Sequence, residues 1–219
     1  YENGSDQEDD ESFRTRVQEK IAGPAENGNK QHYKTWCESI DGVGRARIFP
    51  LWNGPNTVKG PLIAPEGQPC GPSKVTEVQN YIDPATKGYT ANVGGKVYTV
   101  GDGLGEGVAN LGAHFTAVGA NPLEVDVSFK GELISGTTKE AAEQEAEEAI
   151  EEYFKELVLT TAEASDIVVR ISAIGAILSG LENLLDYSEL RLNGEEHNIT
   201  PGEDDVPVVG EVSISEVLR

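Results

Sequence analysis

The sequence has no methionine, two cysteines and three histidines among its 219 residues, and aromatic residues make up only 6% of it. Two cysteines cannot form the disulfide framework of a small secreted protein or an all-cysteine zinc site. The histidines, His32, His114 and His197, lie in three different predicted elements, and none has a His or Cys three or four residues away. Spacing therefore predicts no zinc site. A chain that opens at Tyr1 and has no methionine is expected to be a piece of a longer protein.

Positive charge and long apolar runs are also scarce. No apolar run approaches the roughly 18 residues that a membrane-spanning helix needs. Lys and Arg together number 17 against 38 Asp and Glu, so the formal net charge is −21. A field of this sign repels phosphate groups and anionic lipid headgroups. The composition therefore disfavours nucleic acid and membranes as partners.

The two cysteines are expected to be unreactive. Cys37 falls on the apolar stripe of a predicted helix, which is typical of a small core residue. Cys70 precedes a predicted helix start, where a helix N-terminus could lower the pKa of a thiol. An inert thiol is still favoured, because most cysteines are unreactive, and the low count fits a reducing, cytoplasmic origin.

Three helices are predicted in the first half of the chain from apolar residues spaced at i, i+4 and i+7. The first begins near Asp9 or Asp10, the second follows Asn29 as its N-cap, and the third covers 72–83. Short amphipathic helices of this length need a larger surface to pack on. A sheet is therefore expected beside them.

Strands are predicted in the same half over 43–49, 57–63 and 112–118, with a hairpin turn at Gly94-Gly95. Pro61 lacks a backbone N–H, so it should place the second strand at a sheet edge or bend it. Asn121-Pro122 is expected to break the chain, and the domain boundary is placed there.

The second half alternates strands and helices. Alternating apolar residues predict a strand over 123–129, and a capping box of Thr137 and Glu140 opens a long helix to about Leu157. A β-branched run over 167–171 and a second apolar helix follow. A closing antiparallel set of strands is predicted over 184–192, 197–200 and 206–214.

The expected fold class is therefore α+β. Residues 1–121 and 122–219 are predicted to form two small subdomains, each a mixed or antiparallel sheet packed with helices.

The glycine-rich segment 101–107 is the main candidate for a ligand site, and its spacing excludes the usual nucleotide loop. Its glycines do not fit G-x-G-x-x-G, and Asp102 and Glu106 would repel a pyrophosphate. A calcium loop is matched only loosely. Loop carboxylates between Glu195 and Asp205 could in principle hydrolyse a glycosidic bond. However, they lie in predicted turns, which would not keep two carboxylates at the fixed separation that this reaction needs. No catalytic, cofactor-binding or metal-binding residues are predicted, and the chain is not expected to be an enzyme.

Two surfaces remain as candidates for protein partners. Phe49, Trp52 and Tyr98 lie near strand ends, where aromatic side chains serve either as interface anchors or as a small satellite core. The outer face of the long helix carries Glu147, Glu148 and Glu151. These residues either face solvent or bind a basic partner.

Several phrases resemble the phage baseplate J-like family. NKQHYKTWCESIDGVGRARIFPLWNGPNTV, residues 29–58, is similar to the signature region of that family, with Asn56 where a glycine is common. Three further phrases follow in the same order as in the family: YIDP at 81–84, GEGVANLGAH at 105–114 and DYSELRLNG at 186–194. The resemblance covers nearly the whole chain, and it corresponds to the C-terminal portion of the family's proteins.

The resemblance implies a structural wedge protein in the baseplate of a contractile tail, without catalytic residues or cofactors. It further implies contacts with other wedge and hub proteins, self-association around the tail axis, and assembly in the cytoplasm of a bacterial host. The alternative is a tail-borne or secreted carbohydrate-binding or hydrolytic domain that stacks sugars on Trp52.

Overall fold

The structure, a computed structural model, describes Arg14 and residues 28–161 and 163–218. Apart from Arg14, the helix predicted to begin near Asp9 lies outside the described residues. These residues form four α-helices, nine strands and one 3₁₀ turn, which confirms the mixed α+β class.

The chain divides into two compact units. Unit 1 contains Tyr1–Asp41, Ile48–Gly60 and Thr76–Ala117, and unit 2 contains Gly42–Arg47, Pro61–Val75 and Val118–Arg219. The predicted boundary between residues 121 and 122 stays a prediction.

The first described helix begins where the sequence predicts it. Helix α1 covers Lys30–Glu38, and the Asn29 side chain accepts a hydrogen bond of 2.8 Å from the backbone N–H of His32. This bond satisfies an amide that the first helical turn leaves without a partner. Tyr33 and Cys37 are buried on one face of α1, and the Tyr33 ring stacks on Phe115 at a centroid distance of 5.6 Å.

The single strand predicted over 43–49 is wrong, because it is interrupted in the structure. Strand β1 covers Arg45–Ala46 and β2 covers Phe49–Pro50, and both pair antiparallel with β3, Thr57–Ile63. Opposite the interruption lies Pro61, whose carbonyl accepts the N–H of Arg47 at 3.0 Å. Pro61 has no N–H to return, so the ladder loses a bond there.

Strand β3 is not an edge strand, so the edge position, one of the two alternatives predicted from Pro61, is wrong. Besides β1 and β2, it pairs with a further strand that covers His114–Gly119. Pro61 is tolerated inside the sheet because its nitrogen faces the gap between β1 and β2.

The other local predictions in the first half are confirmed. Helix α2 covers Pro72–Ile82 and buries Val78 and Ile82. Strands β4, Thr90–Val93, and β5, Lys96–Thr99, form an antiparallel hairpin around Gly94-Gly95. The strand at His114–Gly119 is β6.

A three-stranded sheet forms the centre of unit 2, in the order β8-β7-β9. Strand β7 covers Asn121–Leu133, so Asn121-Pro122 begins a strand and does not break the chain as predicted. Strand β8, Leu184–Leu192, is antiparallel to β7. Strand β9, Asp205–Leu218, is parallel to β7, which corrects the predicted all-antiparallel closing set. The connection over 193–204 returns the chain to the start of β7, where the N–H of Asn121 donates to the Asp204 carbonyl.

The helices of unit 2 pack on this sheet. Helix α3 covers Lys139–Thr160, and its buried stripe joins a core with β7, β8 and β9. Its N-cap is Thr138, whose hydroxyl accepts the N–H of Ala141 at 3.2 Å, and not Thr137 as predicted. The buried residues of the α3 stripe are Ala142, Ala146, Ile150, Phe154 and Val158.

The run over 167–171 is not a strand. Val169 forms a single antiparallel bridge with Ile199, so the predicted strand over 197–200 is also reduced to one bridge. Helix α4, Ile171–Leu178, begins at the end of the run, after a 3₁₀ turn at Ala164–Asp166. In the described part of the chain, no helix has the length and apolar character required to span a bilayer.

Candidate interaction surface

The glycine-rich segment is organised around a buried aspartate. Asp83 follows α2 and is only 2% exposed. Its Oδ1 accepts the backbone N–H of Gly103 at 3.0 Å, and its Oδ2 accepts the N–H of Phe115 at 2.9 Å. These amides are therefore bound to the protein's own carboxylate. A phosphate-binding loop instead directs its amides toward the ligand.

A second carboxylate, that of Asp102, binds the glycine-rich segment to the residues just after Asp83. Asp102 accepts the backbone N–H and the hydroxyl of Thr86 at 2.8 and 2.6 Å, and the N–H of Lys87 at 2.9 Å. Burial alone would raise the pKa of Asp102, but these hydrogen bonds lower it overall. Burial raises the pKa of Asp83, although the two amides oppose that shift. As the pH falls, protonation of Asp83 therefore favours the folded state, whereas protonation of Asp102 disfavours it.

The glycine spacing follows from this packing. A Cβ at Gly101 would collide with the Asp83 carboxylate, and a Cβ at Gly107 would collide with the Ile82 carbonyl. The glycines thus allow the chain to wrap closely around the end of α2.

The three predicted aromatic residues lie together in the structure: Trp52 contacts Tyr98 directly, and Lys59 lies near both Trp52 and Phe49. The Trp52 and Tyr98 rings meet edge to face at a centroid distance of 5.0 Å. Lys59 Nζ lies 5.3 Å from the Phe49 ring centroid and 5.4 Å from that of Trp52. Lys96 Nζ lies 5.3 Å from the Tyr98 centroid. We call these five residues the aromatic–lysine cluster, and each cation lies close enough to its rings for a cation–π attraction.

The two lysines of this cluster were missed by the sequence reasoning. Lys59 is paired with Phe49 across β2 and β3, and that register cannot be known from the sequence. Lys96 lies two residues before Tyr98 in β5, so strand alternation, which places both on one face, was an available signal.

The aromatic–lysine cluster has both a packed part and an exposed rim. Phe49, Trp52 and Tyr98 are each half-buried. Leu51 is 67% exposed and has a positive φ of 59°. Such a conformation is uncommon for a residue with a side chain. The cluster therefore combines the satellite core and the exposed apolar surface that the sequence left as alternatives.

An open groove of about 490 Å³ lies in the same unit. It contains half-buried His114, whose Nδ1 lies 2.9 Å from the Gly101 carbonyl oxygen, and exposed Tyr89. Its polar lining belongs to Asn53, Thr90 and Asp102.

The acidic residues of α3 divide into structural and exposed ones. Glu143 Oε1 accepts the backbone N–H of Ile214 in β9 at 2.7 Å. The Glu145 carboxylate accepts two backbone N–H groups after α4, those of Glu182 and Asn183. Glu152 pairs with Lys155 at 2.9 Å. Glu143 and Glu145 therefore tie α3 to other elements of unit 2, whereas Glu152 forms an exposed pair within the helix.

Among the other glutamates of α3, we define Glu147, Glu148 and Glu151 as the acidic face. All three are exposed, and Glu148 Oε1 accepts a hydrogen bond of 2.9 Å from the Gln144 side-chain amide. They border an open groove of about 530 Å³ that also reaches Val212 of β9. The prediction that these side chains lie on the outer face of the helix is confirmed, whereas their role as a docking site stays a prediction.

Arg45 and Arg47 bind backbone carbonyls of unit 2. Arg45 Nη1 donates to the Leu159 carbonyl at 2.9 Å. Arg47 Nη1 donates to the carbonyls of Glu203 and Asp205, both at 2.8 Å. Within unit 2 they fix strand β1 to the end of α3 and to the loop before β9.

Two of the loop carboxylates weighed for glycoside cleavage are bound to other groups of the protein. Asp205 Oδ2 accepts the N–H of Gly202 at 3.1 Å, and its Oδ1 accepts the amide of Asn121 at 3.2 Å. Glu196 forms an ion pair of 3.0 Å with Arg191. The loop acids with hydrogen-bond partners are therefore engaged in turns and surface pairs.

Histidine and cysteine positions offer no metal centre in the described ranges. No three side chains of the ligating types converge there. His32 Nδ1 accepts the N–H of Gly28 at 3.1 Å. Cys37 and Cys70 are both buried and neither forms a disulfide, which confirms Cys37 as a core residue. Burial raises the pKa of the Cys70 thiol, which argues against the reactive alternative.

Comparison with known proteins matches most of the chain to two adjoining family models. Residues 25–119 match the Baseplate J-like central domain, and residues 125–215 match the Baseplate J-like protein C-terminal domain.

Two similar proteins come from Bacillus subtilis (strain 168). The phage-like element PBSX protein XkdT is 33% identical and the uncharacterized protein YqbT is 32% identical, each over 216 residues. Both alignments cover 99% of this chain and 56% of the relative. The chain thus spans about half the length of the relatives it matches.

Among solved structures, a chain of the anti-feeding prophage (AFP) baseplate, determined by cryo-EM with 6-fold symmetry, has a similar fold. The TM-score is 0.58 at 10% sequence identity, and the match covers 95% of this chain and 43% of that one. At this identity the likeness concerns the fold alone.

Proposed function

The chain belongs to the family of baseplate J-like proteins, which makes it a structural baseplate component, and from that premise we propose that it serves as a wedge in a phage or prophage contractile tail. In this role it acts through protein–protein assembly and catalyses no reaction. Its partners are other wedge and hub proteins, further copies arranged around the tail axis, or both. Assembly takes place in the cytoplasm of the bacterial host.

The observation that carries this proposal is the order of the two family domains. The central domain and the C-terminal domain follow each other along residues 25–119 and 125–215, so little of the chain is left for a separate function. A baseplate protein of a prophage shares the fold over 95% of this chain, which supports the same assignment.

The internal chemistry of the chain also favours a structural role. The glycine-rich segment surrounds Asp83 and Asp102, and its polar groups bind one another instead of opening toward a ligand. Buried polar groups that are fully paired in this way hold one geometry. A rigid segment of this kind suits a component whose shape determines how its neighbours fit.

The aromatic–lysine cluster and the acidic face are the surfaces we propose for partner contacts. The cluster combines Trp and Tyr anchors with a charged rim, an arrangement that is common at interfaces. Exposed charge on the acidic face would orient a partner more than it would strengthen binding.

The carbohydrate alternative is less well supported at Trp52. Sugar stacking requires an open aromatic face, but Lys59 lies over the Trp52 ring and Tyr98 contacts it edge-on. Trp52 is also only half-exposed.

Tails produced without the protein that contains this chain are expected to lack complete baseplates. The measurement is the fraction of tails with a baseplate in negative-stain electron micrographs, and supplying the wild-type protein in trans should restore it. Normal baseplates in the absence of the protein would contradict the proposal. New reducing ends released from host polysaccharide by the purified chain would support the carbohydrate alternative instead.

A further inference from the structure

Charge is distributed very unevenly along the chain. Residues 28–121 contain 8 Lys and Arg against 7 Asp and Glu, whereas residues 122–219 contain 6 against 23. The first segment is thus nearly neutral, and most of the negative charge belongs to the second. Carboxylates that could attract a lysine of a second copy therefore belong mostly to the second segment.

The aromatic–lysine cluster is a favourable contact surface in the nearly neutral segment. Lys59 and Lys96 bring two positive charges to the rings of Phe49, Trp52 and Tyr98. The exposed Leu51 side chain adds apolar area next to Trp52. A complementary partner presents carboxylates beside aliphatic surface.

The acidic face of α3 has that composition. Glu147, Glu148 and Glu151 are exposed along one side of the helix, and the adjoining groove includes the aliphatic side chain of Val212. Two other glutamates of α3, Glu143 and Glu145, accept hydrogen bonds from backbone N–H groups of unit 2 and so hold the helix in place. The face is therefore presented on a fixed element.

We infer that the aromatic–lysine cluster of one copy binds the acidic face of α3 on a second copy. The inference rests on the proposed function, since it specifies one of the contacts through which the wedge would self-associate. A contact between two different surfaces is heterologous, so each copy can bind two neighbours, and the copies form a ring if the rotation closes.

The two halves of this contact have different physical roles. Trp52 and Tyr98 supply the desolvated anchor, because large aromatic side chains dominate the energy of interfaces. The lysines and glutamates supply orientation and a fast approach, and their attraction weakens with salt because the Debye length shortens. Self-association should therefore depend on salt, which screens both this local attraction and the overall repulsion between two chains of net charge −21.

Charge reversal on either side tests this contact in the full chain. The first variant carries Lys59→Glu and Lys96→Glu, and the second carries Glu147→Lys, Glu148→Lys and Glu151→Lys. Analytical ultracentrifugation at low salt should show association of the wild-type chain at about 100 μM. Each variant alone should associate at least about tenfold more weakly, which corresponds to about 1.4 kcal/mol.

The most decisive measurement of this contact uses a mixture of the two variants. In the mixture, each variant presents a surface whose charge is opposite to that of a surface on the other variant. The mixture should therefore associate more strongly than either variant alone. Two matched controls change the same charges elsewhere on exposed side chains. One carries Lys30→Glu and Lys87→Glu, and the other carries Glu124→Lys, Glu195→Lys and Glu211→Lys. Both controls should associate as the wild type does.

A wild-type chain that stays monomeric under these conditions overturns the inference, and so does a mixture that stays monomeric while circular dichroism shows both variants folded. Failure of the inference is distinguishable from failure of the proposed function. If only the contact is wrong, the two variants still enter baseplates when supplied to tails that lack the protein. If the function is wrong, the wild-type protein does not enter them.

Discussion

Replacing Asp83 with alanine is expected to lower the free energy of unfolding by about 2–6 kcal/mol. The carboxylate accepts the N–H groups of Gly103 and Phe115, and the residue is almost completely buried. Removing it leaves two buried donors without a partner, and each costs about 1–3 kcal/mol. A loss of this size is a large part of the total stability of a typical domain.

Chemical denaturation measures this loss, and two further variants make it interpretable. Asp41→Ala removes an exposed carboxylate, and it should change stability by less than about 0.5 kcal/mol. Asp83→Asn keeps one acceptor oxygen but turns an amide group toward the other donor, so it should fall between Asp83→Ala and the wild type. If Asp83→Ala were as stable as Asp41→Ala, the packing of the glycine-rich segment around Asp83 would be wrong.

Replacing Leu192 with alanine is expected to cost about 2–5 kcal/mol, whereas the same change at Leu185 should cost less than about 0.5 kcal/mol. Both leucines belong to strand β8. Leu192 is 1% exposed in the core of unit 2, and Leu185 is 64% exposed. The pair is matched in chemistry and in secondary structure, so the difference reports burial alone.

Thermal unfolding of the two leucine variants tests the register of β8. The strand has irregularities where it pairs with β7 between Ser128 and Lys130 and between Glu132 and Leu133. Each irregularity moves the buried positions by one residue along the strand. Similar melting temperatures for the two variants would mean that β8 is paired in another register.

Elements with strong local signals could be predicted from the sequence. Helix α1 follows its Asn29 cap, and the β4–β5 hairpin turns at Gly94-Gly95, because both features depend on residues close in the chain. Strand β8 was predicted with its bounds at Leu184 and Leu192 for the same reason.

Features that depend on distant residues could not be predicted. The split of the strand over 43–49 follows from Pro61 opposite it, and that pairing is set by the sheet. Strand β9 looks antiparallel from its order after β8, yet the connection over 193–204 returns it to the start of β7. The N-cap is Thr138 and not Thr137, whose hydroxyl instead donates to the distant Asn183 Oδ1 at 3.1 Å.

Only part of the aromatic–lysine cluster could be predicted, because some of its members are brought together by strand pairing. Aromatic side chains at strand ends are visible in the sequence, and the structure brings Phe49, Trp52 and Tyr98 together. Lys59 reaches them only through the pairing of β2 with β3. The glycine spacing of 101–107 had no sequence explanation, because its cause is the approach of the chain to Asp83.

Locating the chain in intact tails tests the central claim most directly. The protein carrying this chain would be fused to a compact label and imaged by cryo-electron microscopy in purified particles. The account predicts label density at the baseplate, in symmetric copies around the tail axis. Label at the tail tip fibres, on the tail tube or absent from particles that are otherwise complete would contradict it.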